Sequence, residues 1–213
     1  MKVSPSILTA DYLSLDNDLK MLEDANTDYL HIDVMDGAFV PNISFGVPVI
    51  KSISEHTTLP LDIHLMIEKP HRYIEDFAKY ADILNIHFEA EENPKEVLLK
   101  IRELGCRPAV TIKPNTKPQA VFDLLKYVDM VLVMSVEPGF GGQKFMPSAL
   151  EKLKVLKAEA ERQGLQIELE VDGGINYETA KMCADAGATI LVAGSFLFNS
   201  PDMKSAVKNL QNT

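Results

Sequence analysis

The chain has 213 residues, with 21 Lys and Arg against 31 Asp and Glu, for a formal net charge of −10. That length supplies one full-sized core, and 46% hydrophobic with 24% charged residues is a globular balance that argues against intrinsic disorder. So acidic a chain is a poor match for nucleic acid or an anionic membrane surface, which select basic patches, but a small anionic ligand can be met by a local field.

In chain order, apolar runs of strand length cover residues 3–8, 29–34, 61–66, 83–88, 108–112, 130–136, 167–171 and 189–193. Helical spacing fills the gaps. Leu15, Leu19 and Leu22 follow Ser14 as N-cap, Tyr73, Phe77 and Tyr80 follow Pro70, and Leu150, Leu153, Leu156 and Ala160 follow Pro147-Ser148. Gly105, Gly164 and Gly187 fall where helices should end. Eight strand–helix units in 213 residues come to roughly 27 residues each. Continuously apolar strands imply a parallel sheet covered by helices. The pattern therefore predicts an α/β fold, a single TIM (β/α)8 barrel domain over 1–213, with an open doubly wound sheet as the alternative. No strand-linked G-x-G-x-x-G supports a dinucleotide site. The two cysteines, Cys106 and Cys183, are too few for a disulfide framework and read as buried free thiols. With no signal peptide or long apolar run to read, the expected setting is the cytoplasm.

A barrel carries its site at the C-terminal ends of its strands, and strand side chains alternate faces, so i and i+2 point together. His31, Asp33 and Met35 form one such set, and His64 and Met66 another. Asp172 ends the seventh strand and Ser6 lies late in the first. Two His and two Asp at one mouth can hold a divalent ion, and this donor set suits Zn, Fe, Mn or Co without choosing among them. His87 reads as a support for that set more than as a ligand, and His56 and His71 as surface residues. Glycines recur after three successive strands, in Gly139-Phe140-Gly141-Gly142, in Gly173-Gly174 and in Gly194-Ser195. Each alone is a tight turn; together they match the backbone cradle that barrels offer a phosphate. Met35, Met66 and Met134 sit near three strand ends. They are either core or a soft apolar collar over a ligand.

At these residues the chain resembles the ribulose-phosphate 3-epimerase family along nearly its whole length. The matching segments are Ser4–Leu8, His31–Gly37, Phe39–Asn42, Asp62–Met66, Val133–Val136, Pro138–Gln143 and Val171–Gly174, in this order. The resemblance implies an isomerase of the pentose phosphate pathway, a barrel that interconverts D-ribulose 5-phosphate and D-xylulose 5-phosphate. It implies one divalent metal on His31, Asp33, His64 and Asp172, with Asp33 and Asp172 as the acid/base pair. It further implies Ser6 and His64 on the sugar, the three glycine turns with Phe140 and Ser195 on the phosphate, and Met35, Met66 and Met134 as the cap. Ala38, Lys113-Pro114-Asn115, Glu137 and Phe196 depart from the commonest family pattern and bear on substrate preference. The rival readings are an allulose-6-phosphate 3-epimerase with the same chemistry, a phosphosugar lyase or decarboxylase, and a phosphosugar-binding protein without catalysis. The expected partner is a phosphosugar, with no nucleic acid and no membrane. Family members often form dimers or larger homo-oligomers.

Overall fold

Strands form where the apolar runs predict them, and all eight pair in parallel. The structure, a computed structural model, describes residues 1–213. The strands are β1 (Lys2–Pro5), β2 (Leu30–Met35), β3 (Leu61–Met66), β4 (Ile83–His87), β5 (Arg107–Ile112), β6 (Met130–Met134), β7 (Glu168–Asp172) and β8 (Ile190–Ala193). Their order is β1-β8-β7-β6-β5-β4-β3-β2. The circle closes between β1 and β2 through a Ser6–His31 bridge and through the Asp28 and Tyr29 N–H groups, which reach the Val3 carbonyl at 3.0 and 3.4 Å. Every residue of β2, β3, β4, β6 and β8 is buried, as strands covered on both faces require.

Helices pack outside this ring: α1 (Leu15–Asp24), α2 (Val47–His56), α3 (Ile74–Phe77), α4 (Pro94–Glu103), α5 (Ser148–Arg162), α6 (Tyr177–Ala186), α7 (Ser195–Phe198) and α8 (Met203–Gln211). Each of the longer ones turns an apolar stripe inward, such as Val97, Leu98 and Ile101 of α4 or Leu153, Leu156 and Ala160 of α5. These stripes and the outward strand residues make one core cluster of 48 residues. Gly105, Gly164 and Gly187 all have positive φ, as expected at helix ends. Cys106 and Cys183 are buried and free. No helix is long and apolar enough to cross a membrane.

Several boundaries differ from the sequence expectation, each for a local reason. The first strand stops at Pro5, because the Ser6 hydroxyl accepts the Leu8 N–H at 3.3 Å and caps a 3-10 turn, Ile7–Thr9. Ser6 thus stands just past β1. The sixth strand stops at Met134, where the Ser135 hydroxyl, within donating distance of the Asp172 and Gly173 carbonyls, turns the chain. The helix anticipated after Pro70 shrinks to the single turn α3, leaving Tyr73 exposed and Phe77 buried. Ser14 occupies the N-cap position of α1, but its hydroxyl donates to Asp11.

The bottom of the barrel is sealed by charge as well as by apolar packing. Lys2 and Arg107 converge on Glu168, and both donate to the Tyr29 hydroxyl at 3.0 Å. Above them Tyr29, Ile83, Ala109, Met130 and Ile190 fill the lumen. The other end is left open, and the polar strand ends gather there.

Candidate active site

Closure of the ring brings β2, β3 and β7 to one mouth, and with them the four predicted ligands. His31 Nε2 lies 3.4 Å from His64 Nδ1 and 3.5 Å from Asp33 Oδ1, and His64 Nδ1 lies 3.2 Å from the same carboxylate oxygen. Asp172 joins them: one ligand atom from each of the four lies within 4.8 Å of all the others. His31 and His64 are fully buried, Asp33 nearly so, and Asp172 partly.

The histidines are held in the orientation that a cation needs. His31 Nδ1 donates to Asp62 Oδ2 at 2.6 Å, which turns Nε2 toward the cluster. Against the effect of burial, Asp62 and Asp33 raise the His31 pKa well above its ordinary value, so an arriving ion displaces the Nε2 proton. His64 is backed by His87, with Nε2 to Nε2 at 2.9 Å. Burial drives the His87 pKa down to about 4, so its ring is neutral. A neutral His87 donates from Nδ1 to Glu89 at 3.3 Å and accepts the His64 Nε2 proton, which frees His64 Nδ1. Burial pushes Glu89 up, but bonds from His87, Thr116 and the Lys113 N–H hold it at about 2. Two relays, Asp62 behind His31 and Glu89–His87 behind His64, therefore aim ring nitrogens at one point, flanked by two carboxylates. The donor set of two nitrogens and two oxygens fits a divalent transition ion.

The two carboxylates are not equivalent. Asp33 Oδ2 accepts the Ser6 hydroxyl at 2.6 Å, and its Oδ1 faces both histidines. Burial opposes its charge, but His31 and His64 outweigh that and hold it well below the ordinary carboxylate range. Asp172 has no such bonds. Burial and then the neighbouring Asp33 charge push it up to about 6. One carboxyl is pinned and ionised, the other poised to hold a proton.

Around them runs a cavity of about 1020 Å³. Its inner wall carries Met35, Met66 and Met134, all buried, beside Asp33 and Asp172. Its outer wall carries the glycine turns after β6, β7 and β8. The backbone N–H groups of Gly141, Gly142, Gly174, Gly194 and Ser195 have no protein acceptor, so several donors stand free along one wall. The turns are rigid. Gln143 donates to the Glu137 and Phe140 carbonyls at 2.6 and 2.8 Å, and Asn42 donates to the Gly139 carbonyl at 2.7 Å. At Gly174, with φ +64°, a Cβ would lie 2.5 Å from the Phe145 nitrogen, so only glycine lets these two turns approach.

Residues 2–198 match the Ribulose-phosphate 3 epimerase family. The chain belongs to this family. It is 45% identical to the ribulose-phosphate 3-epimerase of Bacillus subtilis (strain 168) over 215 residues, covering 100% of this chain and 99% of that one. With the enzyme of the same name from Methanocaldococcus jannaschii it shares 42% over 211 residues, 99% of this chain and 90% of the relative. The chain is accordingly an isomerase, a carbohydrate epimerase. Among solved structures, a 3-hexulose-6-phosphate synthase superposes with a TM-score of 0.69 at 17% identity, covering 100% of this chain and 99% of that one. A tryptophan synthase α-subunit from Pyrococcus furiosus gives 0.72 at 16%, covering 100% and 98%. At such identity these two establish the barrel alone.

In this epimerase the structure also brings in residues that sequence reading passed over. Asp62, Asn85 and Glu170 lie two positions before His64, His87 and Asp172 and are fully buried. Asp62 and Glu170 flank His31 from below. Burial, and then the Asp62 charge, raise the Glu170 pKa well above the carboxyl range, so Glu170 stays neutral. One Asp62 oxygen and both Glu170 oxygens have no protein hydrogen-bond partner. The same period of two that selected Asp33 would have selected these. On this geometry Asp62→Asn should weaken divalent-ion binding about 10- to 100-fold, because an amide can present its N–H₂ to His31. Glu170→Gln, neutral and of similar shape, should cost less than about threefold on the same scale. Ion titration of the two variants measures both. Equal losses would contradict the special role of the Asp62–His31 bond.

Of the family departures, Phe196 packs edge-on against Tyr177 at 4.8 Å on the cavity wall. Lys113 lies 3.7 Å above the Phe39 ring, which in turn covers His87 at 4.8 Å. His56 is exposed, and His71 pairs with Glu91 at the surface.

Proposed function

We propose that this epimerase interconverts D-ribulose 5-phosphate and D-xylulose 5-phosphate, removing the C3 proton from one face of the sugar and returning a proton to the other. The observation that carries the reading is the meeting of two carboxyl groups, Asp33 from β2 and Asp172 from β7, beside the same two histidines at the mouth of the barrel. The relatives' shared name supports the substrate. Inversion needs an acid and a base on opposite faces. Asp33 takes the C3 proton, and the electron pair left behind delocalises onto the C2 oxygen as an enediolate. Asp172 delivers its proton to C3 from the other side. The reverse reaction starts with the roles exchanged.

The other residues prepare this transfer. Ser6 donates to Asp33 Oδ2 and accepts the Leu8 N–H, which leaves one lone pair for a sugar hydroxyl. His31, Asp33, His64 and Asp172 would hold the divalent ion, which supplies electrostatic stabilisation of the charge developing on the substrate oxygens. Met35, Met66 and Met134 exclude water from the reacting carbon, and exclusion strengthens every charge interaction beneath them. The free N–H groups of the turns 139–142, 173–174 and 194–195 receive the phosphate, which anchors the sugar from a distance and orients C3.

The test compares turnover of ribulose 5-phosphate and allulose 6-phosphate, with the pentose run also in deuterated water. The expected result is a higher kcat/KM for the pentose and deuterium at C3 of the product. Faster turnover of the hexose would reassign the substrate. Product that keeps all its original C3 hydrogen would exclude the proton-transfer route.

A further inference from the structure

Thr9 ends the short 3-10 turn after β1, and none of the chemistry above uses it. It borders the same cavity as the glycine turns after β6 and β8. One glycine from each turn faces its side chain with no room for a Cβ between them. A Cβ built on Gly141 would lie 2.6 Å from the Thr9 Cγ2 methyl, and a Cβ built on Gly194 would lie 3.0 Å from the Thr9 hydroxyl oxygen. Gly141 does not have a positive φ, so its backbone φ leaves room for other residues. What excludes a side chain there is Thr9: the next atom, a Leu8 methyl, is 4.0 Å away. A β-branched residue has a stiff χ1, so the methyl cannot swing clear of Gly141 without moving the hydroxyl against Gly194. The hydroxyl is buried without any hydrogen-bond partner. Its position is set by contact, as befits a spacer.

We propose that Thr9 is a positioning residue for the phosphate end of the site, a wedge whose two branches fix the separation of the β6 and β8 turns. This rests on the assignment of those turns to the phosphate. Their free N–H groups come from segments more than 50 residues apart in sequence, and no hydrogen bond joins residues 139–143 to residues 194–195. The wedge supplies the common reference that a shared anion requires. Misplacing donors by a fraction of an ångström weakens binding of the group they hold, and with it the orientation of C3 that this group provides.

The experiment is a rescue. Gly141→Ala should lower kcat/KM for ribulose 5-phosphate about tenfold or more. The inhibition constant of inorganic phosphate should rise in parallel. Adding Thr9→Ser, which removes the methyl that meets the new Cβ, should bring both back to within about threefold of the unsubstituted protein. Adding Thr9→Val, which keeps a branched side chain, should not. Circular dichroism of each variant checks that the barrel is folded. Rescue by both second substitutions, rescue by neither, or no defect in Gly141→Ala would overturn the wedge. The underlying assignment fails differently: if inorganic phosphate does not compete with substrate in the unsubstituted protein, the turns do not hold phosphate. Normal competition without the Ser-specific rescue removes Thr9 alone.

Discussion

Asp172→Asn is expected to lower kcat about 10²- to 10⁴-fold, the range that one positioned acid or base contributes. The amide keeps the shape of the side chain but can neither deliver nor accept the proton at C3. Asp172 makes no hydrogen bond to the rest of the protein through its carboxyl, so the substitution breaks no internal contact and the barrel should melt at or above its usual temperature. Asp33→Asn should cost at least as much, since Asp33 is also tied to Ser6, His31 and His64. The two variants should differ in one respect. Each retains one competent carboxyl on one face, so each can still exchange the C3 hydrogen of one epimer with solvent without completing inversion. Incubating each variant with each epimer in deuterated water, and reading C3 by NMR, should show exchange in opposite epimers. Turnover within tenfold of the unsubstituted enzyme in either variant would remove the two-carboxylate assignment.

The second large effect is expected from removing divalent ions. Chelation followed by dialysis should reduce kcat/KM more than about 10²-fold, the scale of losing one preorganised group that meets developing charge. Restoring Zn, Fe, Mn or Co separately should recover different fractions and identify the preferred ion. A readout independent of turnover is stability. An ion at 100 times its Kd should stabilise the fold by about 2.7 kcal/mol, seen as a rise in Tm. The pH dependence of the stripped protein has a definite sign. Folding raises the Asp172 pKa to about 6 from its ordinary value near 3.8. Its contribution is therefore fully present below the ordinary value and is lost as pH rises through 6. His31 is also raised, because Asp62 and Asp33 outweigh the effect of burial, and acts in the same direction at higher pH. Asp33 is lowered, so its contribution is already complete above pH 4 and adds no slope there. His87, lowered to about 4 from its ordinary value of 6.5, acts oppositely and offsets Asp172 between those values. The net loss of stability in the stripped protein should therefore appear above about pH 6.5, from His31. The Tm gained on adding the ion should grow with pH as protons leave Asp172 and His31. A Tm indifferent to added ion at pH 7 would contradict the four-ligand site.

Much of this site was legible in the chain because strand periodicity is local. His31 and Asp33 must share a face whatever the partners of β2, and His64 and Asp172 must stand near strand ends if the runs around them are strands. Where reading stopped short, it stopped at an arbitrary point in the same rule. Asp62 and Glu170 have the same spacing to His64 and Asp172 as His31 has to Asp33, but an acidic residue two places below a strand end looks like an interruption of an apolar run. It becomes a support only when another strand places His31 beside it. Boundaries were misjudged where a side chain competes with the ladder, as Ser6 does by capping the turn that carries Thr9.

Length, apolar runs and their spacing by themselves pointed to eight parallel strands, favoured a barrel over an open doubly wound sheet, and supplied the identities of the residues offered at its mouth. The ring's closure decided what those residues are. Asp33 and Asp172 are the same side chain, and their own strands supply only part of what makes one a pinned anion and the other a carboxyl raised to about 6. That difference comes from His31 on the same strand as Asp33, from Ser6 just past β1 and His64 on β3, and from burial on the far wall. Ionisation and hydrogen bonding depend on distances of a few ångströms between groups that the sequence separates by tens of residues. Periodicity is a property of one strand, whereas chemistry at the mouth of a barrel is a property of all eight.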